Sequence, residues 1–164
     1  MATQRGGRHS VVLVSSRSGD HAMLRKIFGG SPWELRGAFG GSDGLDLIYR
    51  HRNDIFAVIC EHNPPDGDWK LLLAEIGKLP VRPHLIVASR LADERLWAEV
   101  LNLGAFDLLS SDPFVPAEVL HVTRSAWLAW NRASQPWVVP RAGLGRALSP
   151  AASGEREFSA VSSM

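Results

Sequence analysis

The chain has 164 residues, enough for one domain with a sizeable core and a tail. With 45% hydrophobic and 21% charged residues it reads as an ordinary globular protein, and a formal net charge of +1 points to neither nucleic acid nor a membrane surface. The one cysteine, Cys60, excludes an intramolecular disulfide and a cysteine-based zinc site, and no run of about 18 apolar residues predicts a membrane helix or a signal peptide. The cytoplasm is therefore the expected compartment. In chain order, "SVVLVS" (10–15) reads as a buried strand by its length and β-branching. "GDHAMLRKIF" (19–28) carries apolar residues at helical spacing and is stopped by two glycines. "WELRGAF" (33–39) is a second strand, and "SDGLDLIYRHR" (42–52) a short helix with Ser42 as N-cap. "IFAVIC" (55–60) is apolar on both faces, as a central parallel strand is. A helix over 68–79 follows, with Asp68 at its start, where a negative charge suits the dipole. The strand 84–89, the helix 92–104, the short strand 105–110 and a last helix from Pro116 to about Arg132 complete the pattern.

Five strand–helix units in succession predict a parallel sheet with helices on both faces. Such folds place their chemistry at the carboxyl ends of the strands. Those ends are Ser15, Glu61, Ser89 and the 110–112 region. The domain is expected over 9–132. The segment 133–164, rich in Ala, Ser, Gly and Pro and without sustained periodicity, is expected to be a flexible tail, too short for a second folded domain.

Glu61 is followed by Pro65 after four residues and by Asp68-Trp69 after seven and eight. Ser89 is followed fifteen residues on by Gly104-Ala105, Val14-Ser15-Ser16 follows the first strand, and Asp112-Pro113-Phe114 follows the fifth. With the five strand–helix units, these strand-end residues resemble the receiver domain of two-component response regulators. The resemblance covers roughly residues 10–132 and implies a flavodoxin-like (βα)5 fold. In the family an aspartate ending strand three takes a phosphoryl group, a pair of acids after strand one holds a divalent cation, and a lysine after strand five holds the phosphoryl oxygens. On this mapping Glu61 occupies the phosphoacceptor position, Ser15 and Ser16 the acidic-pocket positions, and Ser89 the switch hydroxyl.

The residues themselves oppose that chemistry. Glu61 is one methylene longer than aspartate, which displaces the carboxylate by about 1.5 Å from in-line geometry. Neutral Ser15 and Ser16 are poor ligands for Mg²⁺, which prefers carboxylates. The chain has only three lysines, Lys26, Lys70 and Lys78, so none follows strand five. Arg90, beside Ser89, is a guanidinium on the wrong strand. The expectation is a degenerate, phosphorylation-independent receiver that is not an enzyme and uses no cofactor or metal. The alternative is a phosphoacceptor with altered ligands under histidine-kinase control.

Glu61 reads in two ways, as a strand-end acid or as a fixed mimic of a phosphorylated side chain held by Ser89. Asp66-Gly67 reads as a turn, and the six histidines show no metal-binding spacing. On the family's layout Trp97 and Leu108 map to the face of helix four, strand five and helix five. That face is expected to take a protein partner, such as a signalling protein, a kinase or another receiver, or a second copy of the chain. Leu96, Val100, Leu101 and Leu103 are expected to form the inward stripe of helix four.

Overall fold

The computed structural model describes residues 8–134. The segment expected to be a tail therefore lies, from residue 135 on, outside the described residues. The elements alternate strictly: β1 (Ser10–Val14), α1 (Ser18–Phe28), β2 (Glu34–Ala38), α2 (Gly41–Arg50), β3 (Ile55–Glu61), α3 (Trp69–Ile76), β4 (His84–Ser89), α4 (Glu94–Asn102), β5 (Asp107–Ser110) and α5 (Pro116–Ser134). The strands form one parallel sheet in the order β2-β1-β3-β4-β5. This is the expected doubly wound, flavodoxin-like (βα)5 architecture.

The sheet separates two apolar layers. On one face Val12, Val14, Val58, Cys60 and Val87 meet Ile48 of α2, Leu72 and Ile76 of α3, and Leu96 and Val100 of α4. On the other, Val11, Leu13, Ile59 and Ile86 meet Leu24 and Phe28 of α1 and Val119, Val122 and Ala126 of α5. Strand alternation explains the division, since successive side chains leave a strand on opposite faces. It breaks once. Ser10 pairs with Ile55 but Val11 pairs with Ala57, so Phe56 is an extra residue in β3. Phe56 and Ala57 therefore both enter the α1/α5 layer, where Phe56 meets the rings of Trp33 and Trp130.

Tertiary contacts shift several boundaries from those read in the sequence. β3 runs one residue further, through Glu61, which pairs with Ala88 of β4. α3 stops at Ile76, with Gly77 as C-cap, rather than at 79. α4 begins at Glu94 because the Asp93 carboxylate accepts the Leu96 amide, and it ends at Asn102. Ser42 is not the cap of α2. The helix starts at Gly41, and the acceptor for its first amides comes from Asp66, 25 residues away, at 2.6 Å from Gly41 N and 2.9 Å from Ser42 N.

The sheet order reverses between β1 and β3, which opens a crevice beyond their carboxyl ends. Among the described residues no helix is long and apolar enough to cross a membrane.

Candidate functional site

The crevice is a cleft of about 650 Å³, lined by Arg17, Asp20, Glu61, Ser89, Arg90 and Arg95 among others. Its floor is the β1–α1 loop meeting the end of β3. Glu61 Oε2 accepts the Ser16 backbone amide at 3.0 Å, and Oε1 lies 3.3 Å from Ser16 Oγ and 3.5 Å from Ser15 Oγ. Ser15 is 1% exposed, and its hydroxyl is 2.7 Å from Asp20 Oδ2. A serine hydroxyl has one proton to give. The short contact takes it, so Ser15 donates to Asp20 and only approaches Glu61.

The loop is held from behind as well. Ser15 Oγ accepts the Arg17 amide at 3.1 Å. The Ser15 carbonyl oxygen lies 2.9 Å from Nε2 of buried His21, whose ring stacks on Phe39. A Cβ at Gly37 would lie 2.7 Å from His21 Nδ1, so the glycine in the middle of β2 makes room for that imidazole. Asp20 sits in the first turn of α1, where the dipole favours a carboxylate, with Arg17 Nε at 4.0 Å.

Asp20 is one residue of the candidate site that motif spacing missed. It lies five residues after Ser15, outside the family's acid positions. The available signal was an acid opening the helix that follows the first strand. Arg17 and Arg95 were missed for the same reason, since cations on helix starts have no fixed spacing from a strand end.

Ser89 lines the cleft but stands apart from the hydrogen bonds of Glu61. Its Oγ accepts the Leu91 amide at 3.1 Å, which closes the turn from β4 into α4. Glu61 instead bonds to the serines at the end of the adjacent strand β1. The expected Ser89–Glu61 hydrogen bond is thus replaced by Glu61 contacts within the β1–β3 corner.

The donor set does not suit the Mg²⁺ ion that receiver domains of the typical kind hold. Two carboxylates reach this corner, and both are engaged: Glu61 with the Ser16 amide, Asp20 with Ser15 and Arg17. Among the described residues no three His, Cys, Asp or Glu side chains converge as metal ligands would. The cleft's cations are arginines, and no lysine enters it.

Cys60, just before Glu61, is buried, and burial together with the charge of Glu61 pushes its thiol well above the ordinary range. It is an inert small apolar residue. Asp66 is exposed, and the amides of Ser42 and Gly41 hold its carboxyl below the usual carboxylate value. The turn read at Asp66-Gly67 is present, with Gly67 at φ +135°, and the aspartate is also the cap of α2.

The second expected site lies on the far side of α4. Trp97 is 50% exposed, which removes it from the core. Leu108 is 8% exposed and packs inward with Leu96 and Val100, so it is a floor residue rather than a docking residue. The reason is that β5 is covered on both faces, Leu108 by the α4 side and Leu109 by the α5 side. Leu103, expected to be inward, is the C-cap of α4 and half-exposed.

No protein-family model matches the chain, and no curated protein matches it. Solved structures do. The signal receiver domain of an HD domain-containing protein from Pseudomonas fluorescens is 25% identical, with 77% of this chain and 91% of that one covered at a TM-score of 0.67. A chain of the CheX–CheY complex with beryllium fluoride and magnesium from Borrelia burgdorferi is 22% identical, covering 76% and 92% at 0.67. A response regulator receiver domain protein from Clostridium thermocellum is 19% identical, covering 76% and 96% at 0.66. On its topology and on these likenesses, the chain has the fold of the receiver domains of response regulators.

Proposed function

We propose that the chain is an atypical receiver domain that signals by binding a protein partner, without phosphoryl transfer. The observation that carries this is the state of the phosphoacceptor position. Phosphoryl transfer to a carboxylate needs a free in-line oxygen, a divalent cation and an opposing cation. Glu61 has its carboxylate turned into the β1–α1 loop and bonded to the Ser16 amide. The positions for the acid pair are Ser15 and Ser16, and Asp112-Pro113-Phe114 after strand five brings no lysine. Glu61 acts here as a fixed anchor for that loop. The partner face is the surface of α4, β5 and α5 around Trp97.

Incubation of the full chain with acetyl phosphate and Mg²⁺, read by intact mass, tests the reading. The expected spectrum shows the unmodified mass alone. A stoichiometric gain of one phosphoryl group that Glu61→Gln abolishes would establish the phosphoacceptor instead.

A further inference from the structure

The face around Trp97 carries a charge pattern that specifies its partner further. A groove of about 390 Å³ runs between α4, β5 and α5, lined by Trp97, Leu108 and Val122 and by four carboxylates: Asp93, Glu94, Asp107 and Glu118. Among the described residues, not one lysine, arginine or histidine lines it. The arginines nearest in sequence, Arg90 and Arg95, line the strand-end cleft on the other side of α4. The helix thus divides a groove whose charged described residues are all acids from a cleft that holds both signs.

Two of the acids are held in place. Asp93 Oδ1 caps α4 through the Leu96 amide at 2.9 Å, and Asp107 Oδ1 accepts the Leu108 amide at 2.8 Å. Neither is ion-paired among the described residues, and the same is true of Glu94 and Glu118. A half-exposed tryptophan over an apolar floor, ringed by unpaired carboxylates, is an anchor site for an apolar side chain flanked by cations. An arginine beside that anchor can also stack on the indole face.

We infer that this groove docks a basic, amphipathic segment of another protein, one that presents an apolar anchor with arginines or lysines beside it. The inference rests on the partner-binding reading above and adds the chemistry of the partner. It disfavours a second copy of the chain. A two-fold interface places the same patch on both subunits. Here it would bring the carboxylates of one groove against those of the other, with no cation among the groove's described lining residues to compensate.

The test is a selection from a random peptide display library on the immobilised full chain, with binders to the Trp97→Ala variant removed. Binders that survive are expected to carry an aromatic or leucine flanked by arginine or lysine. Their affinity should fall about tenfold or more with Glu94→Gln/Glu118→Gln and should weaken steadily as salt rises. The control Asp46→Asn, an exposed acid on α2, should leave it unchanged. Trp97-dependent binders with no basic excess, or with affinities indifferent to the double variant, would overturn the charge assignment while leaving a partner face. A concentration-dependent dimer in sedimentation that Trp97→Ala dissolves would overturn it in favour of a second copy. Absence of any Trp97-dependent binder would overturn the groove itself. None of these outcomes touches the phosphate reading, which the mass measurement decides.

Discussion

At the scale of single residues, the length of one side chain sets what Glu61 touches. A glutamate reaches far enough from the end of β3 to accept the Ser16 amide at 3.0 Å. Once so bonded, it ties the end of β3 to the β1–α1 loop and makes no hydrogen bond to the Ser89 hydroxyl on β4. Couplings measure this directly. In double-mutant cycles on stability, Glu61→Gln and Ser16→Ala should couple by about 0.5 kcal/mol, because Ser16 Oγ lies 3.3 Å from Glu61 Oε1, while the backbone amide bond is present in every variant of the cycle. Glu61→Gln and Ser89→Ala should add within about 0.5 kcal/mol. The reverse pattern would restore Ser89 as the partner of Glu61 and with it the mimic of a phosphorylated side chain. Asp66 is the other residue whose reach matters. Its carboxylate joins the β3–α3 loop to the start of α2, so Asp66→Ala removes a cap of a helix it does not belong to. The loss expected is about 1 kcal/mol or less, because the carboxylate is solvent-exposed. Its depressed pKa gives the sign with pH. The stabilisation is complete above the unfolded value of about 3.9 and disappears as pH falls through the lower folded value. Urea midpoints that match for wild type and Asp66→Ala at pH 7 would remove the cap from the account.

At the scale of elements, close approach sets where the helices sit. Gly44, in the interior of α2, is buried, and a Cβ there would lie 2.5 Å from Val14 Cγ2 of β1. α2 can lie this near the sheet only because the position lacks a side chain. On propensity alone Gly44→Ala gains about 1 kcal/mol. Overpacking against a buried strand loses roughly 1–3 kcal/mol. The net expectation is destabilisation, and Val14→Ala in the same chain should recover part of it by opening the space. Thermal unfolding of wild type and the two variants checks this, and a Gly44→Ala protein more stable than wild type would show that α2 can shift away freely. A similar constraint explains Phe56. The bulge in β3 adds one residue and turns Phe56 to the α1/α5 side, where it meets Trp33 and Trp130. Neither feature has a periodic signature. Gly44 resembles any weak point in a helix, and the run "IFAVIC" is apolar at every position, so an extra residue in it leaves no mark.

At the scale of the whole molecule, the alternation of apolar runs with helical spacing was enough to predict the sheet, its parallel sense and the crevice at the strand ends. Those properties depend on burial patterns that each segment carries by itself. The serines at 15 and 16 and the absence of lysine after residue 78 were equally legible, because they are a matter of which residues are present. Side-chain partners were not legible. Asp66 to Gly41, Asp20 to Ser15 and Lys70 to Glu99, at 2.8 Å between α3 and α4, are set by three-dimensional proximity that spacing does not encode. The same limit applied to Leu108, whose exposure depends on how closely α4 covers β5. One consequence of the assembled fold is a pH dependence that no local pattern predicts. His84 opens β4 at the end of the sheet opposite the cleft, half-buried against the ring of Phe106 at 4.8 Å. Burial holds its pKa below the ordinary 6.5, so the folded state resists a proton that the unfolded chain accepts. With the folded pKa depressed, the native state has its full advantage from this group above about pH 6.5 and loses it as pH falls towards the folded value. This window lies above that of Asp66, so the two can be separated. Urea unfolding from pH 8 down to pH 5 should show stability declining below about pH 6.5, and His84→Gln should flatten that decline. A decline of the same steepness in His84→Gln would assign the proton uptake to another group and leave His84 a neutral filler beneath Phe106.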